Sequence, residues 1–453
     1  MKANRMFAAF AGIALMASLG ACAGDSTDEE AATETESGTS EPGDEGLSSG
    51  VTISYWATNQ GPSVPFDEEV LNEQIARFTE ETGIEVDLEV VPWSEINDQI
   101  VTATTTMRGP DVLNFGNTNA YRYGSTGALL PFTEEDLAAV GGRDKFIPAA
   151  FSTTDLDPIT SLPLYSQVYG LFYNKKLYAD AGLEPPTTWN EYVEQLEQLT
   201  DPSNNVYGLA YPGANNSMLM HFLFIYGRQH GVLPFDDDAN ATLNTDGMAE
   251  TALQLIDLYQ KGVVSPGSYE STEGGDAMND FLQGKVATVI QQNGAVINGI
   301  ADSGLSTDDF GVVPLPLIDP LSAGGEPIQS MIAGTNISVF ANTEHKAESL
   351  AFVQFMTDND TLATLDAAYG VLPVIEGAGL DFMPDEEWAA TFIDILSNRS
   401  QALPIMGDNN AFQTNAGGEI SRLIGQSATS GSPITLDQVK EALNAAQDMM
   451  PKK

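Results

Sequence analysis

From residue 51 onward the sequence predicts an α/β fold, a parallel sheet covered by helices on both faces. Three observations carry that expectation: short apolar runs ending in turn residues, intervening stretches with helical periodicity, and their β-α-β-α-β order over 51–115. Val51-Thr-Ile-Ser-Tyr-Trp56 is the first strand. Leu71, Ile75 and Phe78 fall on one face of a helix that stops near Gly83. Ile84, Val86, Leu88 and Val90 alternate with acids, the pattern of a half-buried strand. Ser94 is placed to cap a second helix with Ile96, Ile100 and Met107 facing inward. Asp111-Val-Leu-Asn-Phe115 is the third strand. Ligands of such sheets bind beyond the carboxyl ends of the strands, so the loops after Trp56 and Phe115 become the first candidate site.

The remainder of the chain continues in the same style. Thr188-Trp-Asn-Glu191 is a capping box, followed by an apolar stripe of Trp189, Tyr192, Val193, Leu196 and Leu199. Gly284-Lys-Val-Ala-Thr-Val-Ile290 reads as a buried strand, and His345 to Met356 as a mostly buried helix. Thr435-Leu-Asp-Gln438 opens a last helix with Val439, Ala442, Leu443 and Ala446 on one face. No repeat of solenoid length is visible.

Composition narrows the function. The 453 residues suggest two or three domains at about 150 residues each. A hydrophobic share of 42% supports a large core and excludes whole-chain disorder. Sixty-four acids against 18 bases give a charge of −46, which argues against nucleic acid. The single cysteine, Cys22, excludes an intrachain disulfide and a thiolate metal cluster.

The N-terminus reads as an address. Lys2 and Arg5 precede an apolar run from Phe7 to Leu19, too short to span a bilayer and suited to a signal peptide. Leu19-Gly-Ala-Cys22 resembles the lipobox of bacterial lipoproteins, which implies cleavage after residue 21 and acylation of Cys22. Each buried CH₂ contributes about 0.8 kcal/mol, so more than one chain is needed for a lasting anchor. The expected tether, 22–50, is rich in Gly, Ser and Thr and holds nine acids without a basic or aromatic residue; it spans roughly 30 Å as a flexible coil. With those nine acids and the two leading bases set aside, residues 51–453 carry a charge of −39. The expected location is the extracytoplasmic face of the cell membrane.

Six further motifs occur in order. They are Phe78-Thr-Glu-Glu-Thr-Gly-Ile-Glu-Val86; Pro110-Asp-Val112 with Gly127-Ala-Leu-Leu-Pro-Phe132; the stretch Leu171-Phe-Tyr-Asn-Lys-Lys-Leu-Tyr-Ala-Asp-Ala-Gly-Leu-Glu-Pro-Pro-Thr-Thr-Trp189; Phe281-Leu-Gln-Gly-Lys-Val-Ala-Thr-Val-Ile290; Val313-Pro-Leu-Pro316; and Gly370-Val-Leu-Pro373. Together they resemble the extracellular solute-binding proteins of ABC importers, in the sugar-binding group that includes maltose-binding protein. The resemblance covers nearly all of 51–453. It implies a periplasmic-binding-protein-like fold, two α/β lobes with parallel-rich sheets joined by a three-crossing hinge. Mapped here, one lobe holds 51–163 with 318–370 and the other 164–317 with 371–453. It further implies a monomer that captures a carbohydrate between the lobes, closes by a hinge motion and delivers the ligand to a membrane permease, without cofactor, metal or catalysis.

Sugars are held by amides and acids that match hydroxyls, with aromatic rings against their C–H faces. Trp56, Asn59 and Gln60 follow the first strand, although Trp56 suits a core equally well. Asn117, Thr118 and Asn119 lie where the family places polar contacts, and an Asn-rich loop is also ordinary turn chemistry. Gln167 falls where the family carries an acidic ligand contact. Asn215 and Asn216, the strand-end pair Gln292 and Asn293, and the segment Asn409, Asn410 and Gln413 are expected on the opposite wall. Tyr369 either stacks or packs. The family's stacking Trp is missing after Asn293-Gly294-Ala295-Val296, and Trp93, Trp189 and Trp388 read as structural.

Two rivals remain. One keeps the fold but binds another solute such as a polyamine, which needs carboxylates; the candidate loops carry mainly amides and hydroxyls. The other is a secreted glycoside hydrolase. No His-Glu-x-x-His motif is present, the one Gly-x-Ser-x-Gly match (Gly46-Leu-Ser-Ser-Gly50) falls in the expected tether and makes no strand-to-helix elbow, and 64 acids make any carboxylate pair uninformative. Asp236-Asp-Asp-Ala-Asn240 lacks the Gly and Glu of a calcium loop and reads as an exposed turn.

Overall fold

The computed structural model describes residues 47–272, 274–383, 386–430 and 432–452. The expected leader, Cys22 and the tether up to residue 46 lie outside the described residues. Among the described residues nine strands form one connected hydrogen-bonded system: β1 Thr52–Thr58, β2 Glu85–Val91, β3 Val112–Gly116, β4 Leu162–Asn174, β5 Tyr207–Ala210, β6 Val286–Gln292, β7 Phe310–Val313, β8 Ser330–Val339 and β9 Ser400–Gln401. Their order is β2-β1-β3-β8-β4-β6-β5, with β7 beside β4 and β9 beside β8. β1 runs parallel to β2 and β3, and β5 parallel to β6, as helical crossovers require. The antiparallel pairs all involve β4 or β8, the two longest strands.

Alternation along these strands builds two halves. In β3, Val112 joins a cluster with Ile53, Tyr55 and Phe78, while Leu113 and Phe115 turn the other way to meet Ile96, Ile100 and Tyr123. Helices Val64–Thr82 and Trp93–Thr106 thus cover opposite faces of one sheet. In the other half Tyr169 and Leu171 of β4 face the helices around Trp189, Phe222 and Leu255, whereas Val168 and Phe172 face Phe281, Trp388 and Phe392. Burial of these stripes, at about 25 cal/mol per Å², is the main stabilising term.

Local signals behave as their chemistry dictates. Ser63 caps the first helix through the Phe66 amide, and Gly83 closes it in the left-handed conformation. The capping boxes at Thr188 and Thr435 both form. The second helix departs from expectation: its first residue is Trp93, Pro92 precedes it, and Ser94 lies inside the first turn rather than at the cap. The Pro92 carbonyl instead accepts from the Glu95 and Ile96 amides at 2.9 and 3.0 Å, which closes the first turn without a side-chain cap. Asp236 accepts the Asn240 amide at 2.8 Å and closes an exposed turn.

β4 and β8 run through both halves. Leu162, Leu164 and Tyr165 of β4 and Ile337 and Val339 of β8 sit in the first half's core; Tyr169 and Leu171, and Met331 and Ala333, sit in the second's. A third passage follows helix Asn359–Tyr369, where Leu372 bridges Ser166. Gly334, at φ +139, lets these passages approach: a Cβ there would stand 2.2 Å from the Tyr165 carbonyl oxygen.

Candidate functional site

The carboxyl ends of the first three strands all open toward the three passages. β1 ends in a turn carrying Gln60, β2 ends at Pro92-Trp93, and β3 ends in the 3₁₀ turn Asn117–Asn119. Across from them stand the end of β6 and the start of helix Asn216–Gln229. Between these elements lies a cavity of about 260 Å³. Gln60, Trp93, Asn117 and Thr118 line it from one half, and Ser217, His221 and Gln292 from the other. Gln167 of β4 and Thr335 of β8 complete it from the crossing strands. At Gln60, Gln167 and Gln292 it meets a wider groove of about 680 Å³, which extends between helices Gly274–Leu282 and Asn293–Ser303. Both volumes are of the order of small-ligand sites.

Of the side chains that the sequence singles out, Gln60, Asn117, Thr118, Gln167 and Gln292 converge on this cavity. Tyr165 donates to Gln60 Oε1 at 3.2 Å, and Asn117 donates to the Ile332 carbonyl at 3.3 Å. The others are engaged elsewhere. Trp56 packs against the cluster of Ile96, Ile100 and Phe115. Asn59 donates to Asp67 and to the Gly61 carbonyl, so it builds the turn that carries Gln60. Asn119 donates to Asn97 at 3.4 Å. Asn215 caps its helix by accepting from the Met218 amide at 3.0 Å and donates to the Thr272 carbonyl at 2.8 Å. The backbone of Asn216 lies against Gly417.

Asn293 is fully buried: it accepts from the Val168 amide at 2.9 Å and donates to the Gly370 carbonyl at 2.8 Å, tying β4 to the third passage. Asn298 adds a bond to the Tyr369 carbonyl at 2.9 Å. Gly294 lies so close that a Cβ would stand 2.9 Å from that carbonyl oxygen and 3.1 Å from Gln167 Oε1. The Tyr369 ring is buried beside Tyr165, with 6.0 Å between centroids, and its hydroxyl bonds Asp67. Asn409 reaches across the two halves and donates to the Thr118 carbonyl at 3.0 Å. Its Oδ1 is buried without a partner among the described residues. Asn410 and Gln413 are half-buried on the same wall and line neither space.

Four lining residues escape the sequence reading. Trp93 is 41% exposed, its ring lies near Gly116, and it borders the cavity, so its reading as structural is corrected. Applying the strand-end rule to β2 as well as to β1 and β3 finds it. Ser217 and His221 are spaced i, i+4 on a helix that starts at the candidate loop, which puts both on one face. Thr335 is set by β8, whose course across both halves has no local signal.

The cavity's electrostatics are simple: among the described residues, no Asp, Glu, Lys or Arg lines the inner space. Its one titratable lining ring, His221, is buried, and burial pushes its pKa down to about 3, so the imidazole is neutral at any ordinary pH. In the wider groove Asp302 lies exposed at the edge. The arrangement holds amides, hydroxyls and two aromatic rings around an uncharged space. It can match a neutral, hydroxyl-rich molecule.

Comparison with known proteins agrees with this geometry. Residues 62–363 match the family model of bacterial extracellular solute-binding proteins. A binding protein of Brucella abortus is 25% identical over 369 residues, covering 79% of this chain and 84% of the relative. The diacetylchitobiose binding protein DasA of Streptomyces coelicolor is 23% identical over 375 residues, 82% of each. Among solved structures, a solute-binding protein of Thermotoga lettingae bound with α-D-tagatose superposes with a TM-score of 0.73 at 21% identity, covering 88% of this chain and 99% of that one. The GacH receptor of Streptomyces glaucescens, solved unliganded and with acarbose, gives 0.70 at 20% identity, over 88% and 96%. At such identity the two structures show the fold: two α/β lobes of the kind found in periplasmic binding proteins.

Proposed function

The chain belongs to the bacterial extracellular solute-binding proteins, and from that premise we propose that it captures a carbohydrate in the cleft between its lobes and delivers it to an ABC permease. The observation that carries this reading is the charge-free inner cavity, where Gln60, Asn117, Gln167 and Gln292 face one space and Trp93 offers a ring at its border. A polyamine needs carboxylates against its ammonium groups, and the inner wall has none among the described residues. Relatives that bind diacetylchitobiose and maltotriose support a saccharide as the ligand class. Trp93 takes the role of stacking platform, in place of the Trp missing after Gly294.

We take the lobes to divide the chain near the bounds the motifs suggest, with crossings that the cores support at Tyr165–Val168, Ala333–Ile337 and near Leu372. On this reading the second crossing lies in β8 rather than at 318. Closure of the lobes is the state a permease reads, which requires the ligand to favour closed over open.

A thermal-shift screen tests the ligand. Maltotriose, diacetylchitobiose and tagatose are run against spermidine and amino acids. A saccharide at 100 times its Kd adds about 2.7 kcal/mol to stability and raises Tm. A rise confined to spermidine would overturn the carbohydrate reading. The lipid anchor on Cys22, proposed from the lipobox, is tested by Cys22→Ala with palmitate labelling; an equally labelled variant rules the anchor out.

A further inference from the structure

Tyr169 of β4 is buried, and its Oη lies 2.7 Å from His221 Nδ1. A buried phenol keeps its single proton and needs an acceptor for it, and Nδ1 stands within hydrogen-bond distance to receive it. A neutral imidazole that accepts at Nδ1 carries its hydrogen on Nε2. The protein partner recorded for that nitrogen, Ser217 Oγ, is 3.5 Å away, at the limit of a hydrogen bond. Ser217 and His221 both line the inner cavity.

We propose that the Tyr169→His221 bond fixes the imidazole as its Nε2–H tautomer and aims that N–H into the cleft, where it donates to an acceptor oxygen of the bound saccharide. His221 is then a specificity-determining residue, and Tyr169 is a positioning residue acting through it. This rests on the carbohydrate reading for the identity of the acceptor, but not for the tautomer.

Two measurements on the full-length chain test it. Nitrogen-15 NMR of the free protein with labelled histidine is expected to show His221 protonated at Nε2 and bare at Nδ1. Tyr169→Phe is expected to mix the two tautomers. A wild-type imidazole protonated at Nδ1 overturns the proposal. Titration with maltotriose and diacetylchitobiose then compares two variants of matched melting behaviour. His221→Gln, whose amide nitrogen reaches the Nε2 position, should bind within about threefold of wild type. His221→Asn, which mimics only the Nδ1 side, should bind about tenfold more weakly, the loss of one hydrogen bond. Equal binding by the Asn variant overturns the inference and leaves the carbohydrate reading intact. If neither sugar binds wild type, the acceptor assignment falls with the carbohydrate reading, and the NMR result still decides the tautomer.

Discussion

Gln292 and Asn293 are neighbours with the same functional group, yet they belong to two regions with opposite economies of hydrogen bonding. Asn293 has both ends of its amide bound to backbone, at Val168 and Gly370, in the passage between the lobes. Gln292 faces the cavity together with Gln60 and Gln167. The hinge region is built from amides whose bonds are complete within the protein, and the cleft from amides that retain capacity for a ligand. Buried polar groups left unpaired are costly, so the first kind supplies stability and the second supplies recognition.

The largest expected effect lies in the cleft and appears under acid. His221 is held near pKa 3 in the folded protein, against an ordinary value near 6.5. Above pH 6.5 neither folded nor unfolded chain protonates it, and its contribution is whole. As pH falls from 6.5 toward 3 the unfolded chain gains a proton that the folded one refuses. Stability therefore drops by about 1.4 kcal/mol per pH unit. Urea denaturation of wild type and His221→Gln at pH 6, 5 and 4 reads this as a difference in slope. Equal slopes would mean that the ring charges freely in place. Asp366, raised by burial, acts with the opposite sign above its ordinary range and is common to both proteins.

Next comes the hinge. Asn293→Ala leaves the Val168 amide and the Gly370 carbonyl buried without their partner and should cost about 2–4 kcal/mol by urea denaturation. Gln292→Ala should cost under about 1 kcal/mol and show its effect in ligand affinity. Comparable losses in both would erase the distinction between the regions.

The smallest effect is on the aromatic border. Trp93→Ala should leave stability within about 0.5 kcal/mol, because the ring is 41% exposed. It should weaken saccharide binding by about 1–1.5 kcal/mol, roughly tenfold, by calorimetry. Unchanged affinity would deny the ring a stacking role.

How much of this was legible in the sequence follows from what each signal depends on. The strands from Val51 to Phe115, the capping boxes at Thr188 and Thr435 and the helix closed by Gly83 rest on neighbours within a turn or two, and they appear where local patterning puts them. The loops at the strand ends were also legible, since topology alone directs them to the cleft. Which amide in a loop is engaged was not. Asn59 is occupied by Asp67 eight residues on, Asn119 by Asn97, and Asn293 by residues 125 and 77 positions away. Spacing carries no record of such partners. Trp93 was misread because a Trp opening a helix resembles a core anchor until Pro92 is seen to set it at a strand end.

The pairing of β4 with β8, from Leu162 opposite Ile337 to Val168 opposite Ile332, passes from one lobe into the other with a register irregularity between Pro163 and Tyr165. The closure proposed above would twist this two-stranded ribbon together with the passage at Leu372. The irregular step, where the pleat is already interrupted, is where the ribbon would bend at the lowest cost. A change of sequence there would alter how readily the lobes close without touching a ligand contact.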